Sequence, residues 1–249
     1  MSPFLLAYIF IVFFFLFWAI PFFVLKNNGM VDVIWGISIF LTGWLIYGFF
    51  PSDLSLLLAT LVTLSQLRLS TYIFLRNRNK KEDWRYAAWR KDWGKNFYWR
   101  SLLQVFLLQG HLNWIMIFPL LDLSATLMWN WIQVLGLAVW LLGTLFESIS
   151  DYQMGKFKKD PANQGKLMRQ GLWKYSRHPN YFGQIVHWIG IFMIVLNGDL
   201  VLLSLLSPVL MILLITRVSG VPMMERKYKD HPDFEDWIKT TPALVPRLK

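Results

Sequence analysis

The chain alternates long apolar runs with short polar breaks, and seven of the runs approach the ~20 residues a helix needs to cross a hydrocarbon layer. They cover residues 4–25, 30–50, 54–75, 101–121, 126–146, 181–197 and 200–216, the last two being short. Inside lipid every backbone polar group must be satisfied within its own segment, so runs of this kind predict helices. The expected fold is all-α, a polytopic protein with seven transmembrane helices in one integral membrane domain. The amino-terminal run lacks a cationic lead and a small-residue cleavage pattern and is long enough to span. It is therefore expected to be retained as the first helix.

The polar breaks set an orientation. Residues 76–100 carry nine Lys and Arg, residues 147–180 carry seven, and the chain from Arg217 onward carries seven. The turns "PSD", "LDLSA" and "NGD" carry none, and Lys26 is alone between the first two runs. All basic loops fall on one side, which by the positive-inside rule puts the amino terminus outside and the carboxyl terminus in the cytoplasm.

Composition supports a membrane protein: 55% of the residues are hydrophobic, with 14 Trp and 20 Phe. Without cysteine there is neither a disulfide framework nor a thiolate metal site, and four scattered histidines predict no metal centre. The net charge of +10 raises nucleic-acid binding as a possibility, most visibly at "RNRNKKEDWRY". Interleaved Trp and Tyr at a membrane edge instead mark interfacial anchoring and contact with anionic headgroups, so membrane lipids and no nucleic acid are the expected partners.

Candidate chemistry lies where the spans should not tolerate polarity. Asp32 and Arg68 fall at similar depth near the cytoplasmic ends of the second and third spans. Each charge alone would cost about 3 kcal/mol or more in the bilayer centre. They either clamp two helices as an ion pair or line a substrate cavity. Tyr72, one turn beyond Arg68, is either a proton donor or an interfacial aromatic. In "QGHLN", Gln109 and Asn113 share a face, which favours hydrogen bonding between helices, while His111 points elsewhere. At the cytoplasmic end of the fifth span, Glu147 and Asp151 align at i and i+4, followed by Lys156, Lys158 and Lys159. Those acids can accept from ribose hydroxyls or an amide, with lysines behind them for phosphates or headgroups.

The stretch "GLWKYSRHPNYFGQIVHWIG" has Pro179 suited to the first turn of a helix. A helix starting there presents unsatisfied N–H groups and a positive dipole end, and Arg177 and His178 add donors, with Lys174 and Tyr175 just upstream. The combination predicts a cytoplasm-facing receptor for a phosphate or carboxylate. Beyond it Asn180, Gln184 and His187 or Trp188 make a polar stripe at helical spacing. Gly183 and Gly190 leave room for a flat ring or another helix.

"GLWKYSRHPNYFG", the upstream "SDYQ", the tail "KYKDHPDFEDWIKTTPALVPRL", and the segments "GMVDVIWG" and "EDWRYAAWRKDWGKNFYWRS" resemble the steroid 5α-reductase superfamily. The likeness is to its bacterial branch of unknown substrate, the DUF1295 group, and it runs through nearly the whole chain. It implies substrate-enclosing helices over residues 1–125 and NADPH-binding helices and cytoplasmic loops over residues 126–249, in a bacterial inner membrane. It further implies that Asp151 matches an acid of the cofactor site and Asn180 the Asn near the nicotinamide. Lys158 stands where steroid reductases have Arg, Glu147 where they have Asn, and Arg217 approximately where another Arg contacts the cofactor. Gln184 takes a position usually held by Glu, and the Gln or Glu plus Tyr pair that binds the steroid ketone has no match, Ser65 lying near the expected Tyr.

Isoprenylcysteine-type methyltransferases share that fold and are similar to this chain at Arg177, His178, Pro179, Tyr181 and Gly183, with Glu225 as the downstream acid. There the cofactor is S-adenosylmethionine. The expectation carried forward is an NADPH-dependent reductase of an activated C=C bond in an apolar, steroid-like or other lipid substrate. Its expected cofactor residues are Glu147, Asp151, Lys158, Arg177, His178, Asn180, Tyr181, Gln184 and Arg217, and Asp32, Arg68 and Tyr72 are expected to serve the substrate carbonyl. The methyltransferase is the alternative, and a non-enzymatic lipid-binding or transport protein the second.

Overall fold

A computed structural model describes residues 1–78 and 80–247. Asn79, Leu248 and Lys249 lie outside the described residues, the last of these being one of the seven cations counted in the tail. The described residues are helical and contain no strand. Helix α1 (Pro3–Val24) starts at Ser2, whose hydroxyl accepts from the Leu5 amide at 3.3 Å, with Pro3 in the first turn. Asn27 caps the short 3₁₀ turn Asn28–Met30, and α2 (Val31–Phe49) follows directly. Ser52 and Ser55 form a reciprocal capping box that opens α3 (Asp53–Val62). The helix then passes through a π-helical stretch, Thr63–Leu67, into α4 (Arg68–Asn77).

Next come α5 (Trp84–Trp93) and α6 (Phe97–Ser101), which leads through a second π-helical stretch, Leu102–Leu107, into α7 (Leu108–Met116) and the short α8 (Phe118–Leu121). Helix α9 (Trp131–Lys159) is capped by Asn130 and runs for 29 residues. Helix α10 (Pro179–Ile194) begins at the expected proline. Helix α11 (Val201–Leu213) continues through π-helical Leu214–Val218, and α12 (Val221–Tyr228) and α13 (Phe234–Thr240) follow.

Among the described residues five helical stretches are long and apolar enough to cross a membrane: Pro3–Val24, Asn28–Phe49, Asp53–Asn77, Trp131–Lys159 and Val201–Tyr228. The fourth and sixth runs of the sequence pattern are helical but are not among these five. At 16 residues α10 reaches about 24 Å, short of a hydrocarbon layer of about 30 Å. The fifth run differs in its bounds. The helix extends to Lys159, so Glu147 and Asp151 sit inside it and not at its end. Strong helix formers (Glu147, Gln153, Met154 and Lys156) outlast the apolar run, which alone had marked the boundary.

The chain divides into two compact units, Met1–Leu127 with Asn197–Ser204, and Met128–Leu196 with the residues from Leu205 onward. In the first, Ile11, Phe15, Ile39, Ile46, Phe106 and Met116 are fully buried. Asn113 ties α7 to α2, accepting from the Ser38 hydroxyl at 2.6 Å and donating to the Trp35 carbonyl at 2.9 Å. Within apolar packing that is the expected way to satisfy a buried amide.

In the second unit α9 and α10 form the most extensive helix pair. Gly136 and Gly143 on α9 meet Gly183 and Gly190 on α10. A Cβ at Gly183 would lie 2.6 Å from the Gly143 carbonyl oxygen, and one at Gly190 2.6 Å from that of Gly136. The space opened by these glycines is filled by the partner helix and not by a flat ring, because small residues let backbones approach where side chains would hold them apart.

Candidate functional site

Between α9 and α10 the close approach creates a polar seam. Glu147 is 1% exposed, Asp151 4% and His187 0%. Gln184 Nε2 donates to Glu147 Oε1 at 3.1 Å, His187 Nδ1 lies 3.5 Å from Glu147 Oε2, and Asn180 Nδ2 donates to Asp151 Oδ1 at 3.4 Å. The α10 stripe at i, i+4 and i+7 thus faces the α9 acids at i and i+4. Burial of such groups is expensive unless each finds a partner. The Asn180 carbonyl oxygen is buried and accepts no hydrogen bond among the described residues, which leaves it available as an acceptor in the seam.

Just before α10 the predicted anion receptor is engaged differently. Arg177 donates to Glu225 Oε1 through Nε (2.8 Å) and Nη2 (2.7 Å), and through Nη1 to the Ile238 carbonyl at 3.2 Å and the Thr241 carbonyl. His178 Nε2 is 3.4 Å from the same Glu225 oxygen, and its ring stacks on Tyr181 at 5.4 Å. The Arg177 and His178 amides donate to the Pro242 and Ala243 carbonyls at 2.9 and 3.0 Å. The tail after α13 is therefore lashed across the start of α10. Each guanidinium nitrogen of Arg177 has a protein acceptor, and the residue is only 7% exposed.

Lys158 is exposed in the last turn of α9 and Arg217 is exposed in the π-helical stretch after α11. In the first unit, Asp32 lies in the first turn of α2 and accepts from Arg85 Nη2 at 3.0 Å and from the Tyr86 hydroxyl at 3.5 Å. Arg68 opens α4 directly after the π-helical stretch, and the Arg76 guanidinium covers the Tyr72 ring at 5.6 Å.

Arg85 and Tyr86 come from the basic, Trp-rich segment that the sequence pattern assigns to headgroup contact. Their signal was Asp83, which caps the Arg85 amide at 3.0 Å and so starts a helix there. Burial acts to raise the Asp83 pKa, but the Arg85 hydrogen bond and charge outweigh it and hold the carboxyl below the usual range. Burial, aided by the Asp32 carboxylate, pushes the Tyr86 phenol well above its ordinary value, so it remains a proton-bearing donor at neutral pH. Gln109 Nε2 in turn donates to the Tyr86 oxygen at 3.5 Å.

Among the described residues no group of three or more His, Cys, Asp and Glu could hold a metal ion. Seam and strap together offer buried carboxylates, an unpartnered amide carbonyl and a rigid helix start, a set suited to orienting a polar ligand.

No solved structure matches the chain. Among curated proteins, the chain is 29% identical over 111 residues to 3-oxo-5-alpha-steroid 4-dehydrogenase 1 of Rattus norvegicus, covering 45% of this chain and 40% of that protein. The protein of the same name in Mus musculus is 30% identical over 113 residues, covering 45% and 41%. That of Bos taurus is 38% identical over 55 residues, covering 22% and 21%. The match thus spans well under half the length of these relatives. The family described as "Protein of unknown function (DUF1295)" matches residues 17–241, nearly the whole chain. The chain belongs to the DUF1295 family, as a steroid 5α-reductase-like member.

Proposed function

We propose that the protein is a membrane reductase that uses NADPH to reduce an activated C=C bond of an apolar, steroid-like or other lipid substrate. The single observation that carries this reading is the buried Asn180 carbonyl oxygen, open to a donor and set beside Asp151 and Gln184. The likeness to 3-oxo-5-alpha-steroid 4-dehydrogenase 1 supports the reaction class. The seam fits the cofactor chemically: a nicotinamide carboxamide carries N–H donors for Asn180 and a carbonyl for Gln184, and ribose hydroxyls suit Asp151 and Glu147. Lys158 and Arg217 meet the phosphates. Arg177 and His178, with Tyr181 stacked on the latter, act as positioning residues that hold the start of α10 against the tail.

Bound NADPH supplies the hydride for the β carbon of an enone. The helices of residues 1–125 enclose the substrate, and those of residues 126–249 hold the cofactor. Tyr72, or water held by Asp32 and Arg68, donates a hydrogen bond to the carbonyl oxygen, polarising it and supporting protonation at the α carbon. Tyr86, already on Asp32, belongs to the same set. The proposed topology is seven spans with the amino terminus outside and the cofactor residues facing the cytoplasm of a bacterial inner membrane, as the basic loops favour.

One observation favours a second reading. Glu225, the acid that the methyltransferase resemblance pairs with the "RHP-x-Y-x-G" motif, lies against Arg177 and His178. Both readings meet in one experiment, in which purified protein is melted with NADPH and with S-adenosylmethionine. A ligand of the folded state alone raises the melting temperature by mass action. NADPH is expected to stabilise; stabilisation by S-adenosylmethionine alone overturns the reductase. Stabilisation by neither would favour a lipid-binding or transport protein.

Asn180→Ala is expected to weaken NADPH binding about tenfold, the worth of one good hydrogen bond, and to lower the ligand-free melting temperature slightly through loss of the long contact to Asp151. Titration of cofactor fluorescence measures it. Equal affinity in the variant removes Asn180 from the site.

A further inference from the structure

We propose that the second unit carries a separate phosphate-binding pocket, built by Lys174, Lys239 and Arg247. The three cations line a cavity of about 520 Å³ together with Thr240, Thr241 and Pro242. They come from three different segments: the 3₁₀ turn Gly171–Lys174, the last turn of α13, and the tail beyond it. The Arg247 amide donates to the Tyr175 carbonyl at 3.1 Å, which brings the tail beside Lys174.

The carboxyl end of a helix ordinarily repels anions. Here the Ile238, Thr241 and Pro242 carbonyls are taken by Arg177 side-chain and backbone donors, so that end of α13 is already neutralised. The acids of α13 are also engaged. Glu235 lies 3.5 Å from Lys239, with both side chains well exposed, and Asp236 accepts from Arg169 at 2.6 Å. Among the described residues no carboxylate is paired with Lys174 or Arg247. Arg177, placed by sequence alone at the centre of an anion receptor, instead holds the wall of this neighbouring pocket. Two lysines and an arginine lining one open cavity match the charge of a phosphate and offer it several donors.

The phosphate has two chemical sources, the 2′-phosphate of a soluble nucleotide or the headgroup of an anionic phospholipid. The first rests on the NADPH reading above; the second does not. The test uses the full chain in nanodiscs, comparing wild type with Lys174→Gln/Lys239→Gln and with Arg247→Gln. All three side chains are exposed, so the melting temperature should hold in every variant.

One arm measures affinity for adenosine 2′,5′-bisphosphate against adenosine 5′-monophosphate. The other measures, by native mass spectrometry, retention of phosphatidylglycerol from discs of phosphatidylcholine with and without it. A loss of about tenfold for the bisphosphate alone assigns the pocket to the nucleotide. A severalfold loss of phosphatidylglycerol with nucleotide binding intact assigns it to lipid. If wild type binds neither, or the variants bind both as wild type does, the pocket is overturned. If NADPH does not stabilise wild type while the substituted variants lose phosphatidylglycerol, the reductase is refuted and the pocket stands.

Discussion

Replacing Arg177 with alanine is expected to destabilise the protein by about 3–5 kcal/mol, the cost of breaking one side of a buried ion pair. The side chain spans three attachments: Glu225 on α12, the Ile238 carbonyl at the end of α13, and the Thr241 carbonyl in the tail. Its removal leaves Glu225 facing His178 alone and leaves two carbonyls without their donor. The outcome separates a strap from a phosphate ligand. A strap residue lowers the ligand-free melting temperature, whereas a phosphate ligand changes only affinity for the nucleotide. Glu225→Gln should lose less, because the amide oxygen still accepts from the guanidinium. A double-mutant cycle over the pair should show coupling well above that of an exposed ion pair. Unchanged melting of Arg177→Ala would refute the strap and return the residue to the anion site.

The second large effect is expected at Gly183. Leucine there must clear the Glu147 backbone nitrogen and the Gly143 carbonyl oxygen, both 2.6 Å from the position of its Cβ. Neither atom can swing aside, since both belong to the α9 backbone. The helices must separate, and the whole seam of Glu147, Asp151, Asn180, Gln184 and His187 loses its hydrogen bonds together. Overpacking of this kind costs about 1–3 kcal/mol even where neighbours can give, and more where they are backbone. The expected result is little folded protein on size-exclusion chromatography in detergent. Gly155→Ala on the same helix α9 meets nothing within 4 Å and is the control, expected to be neutral or slightly stabilising. Folded Gly183→Leu protein with wild-type melting would show that the close approach is dispensable.

The same residues show how far the sequence carries. Apolar runs mark α1, α2 and α3 to α4 within a few residues, because helix formation in a long apolar segment is a local matter of backbone satisfaction. The apolar run marks only the lipid-length part of α9, whose last turns to Lys159 are polar and continue the helix on local propensity. The i, i+4 acids on α9 and the stripe on α10 were each legible, since helical spacing alone puts their side chains on one face. That the two faces meet was not legible. Four glycines on two helices permit contact but do not name the partner.

Arg177 makes the division plain. Its sequence neighbours, a proline-started helix and a histidine, correctly identify a helix start rich in donors. Whether those donors serve a ligand or the protein depends on where a carboxylate 48 residues downstream comes to lie. Charge pairing falls off with distance in space, and chain separation carries no such information. The sequence by itself determined α1, α2 and the run from α3 to α4, which loops carry the cations, and the family. Only the tertiary structure decided that the glycines seat a helix, that Arg177 is spent on Glu225 and the tail, and that a pocket with three cations lies beside it.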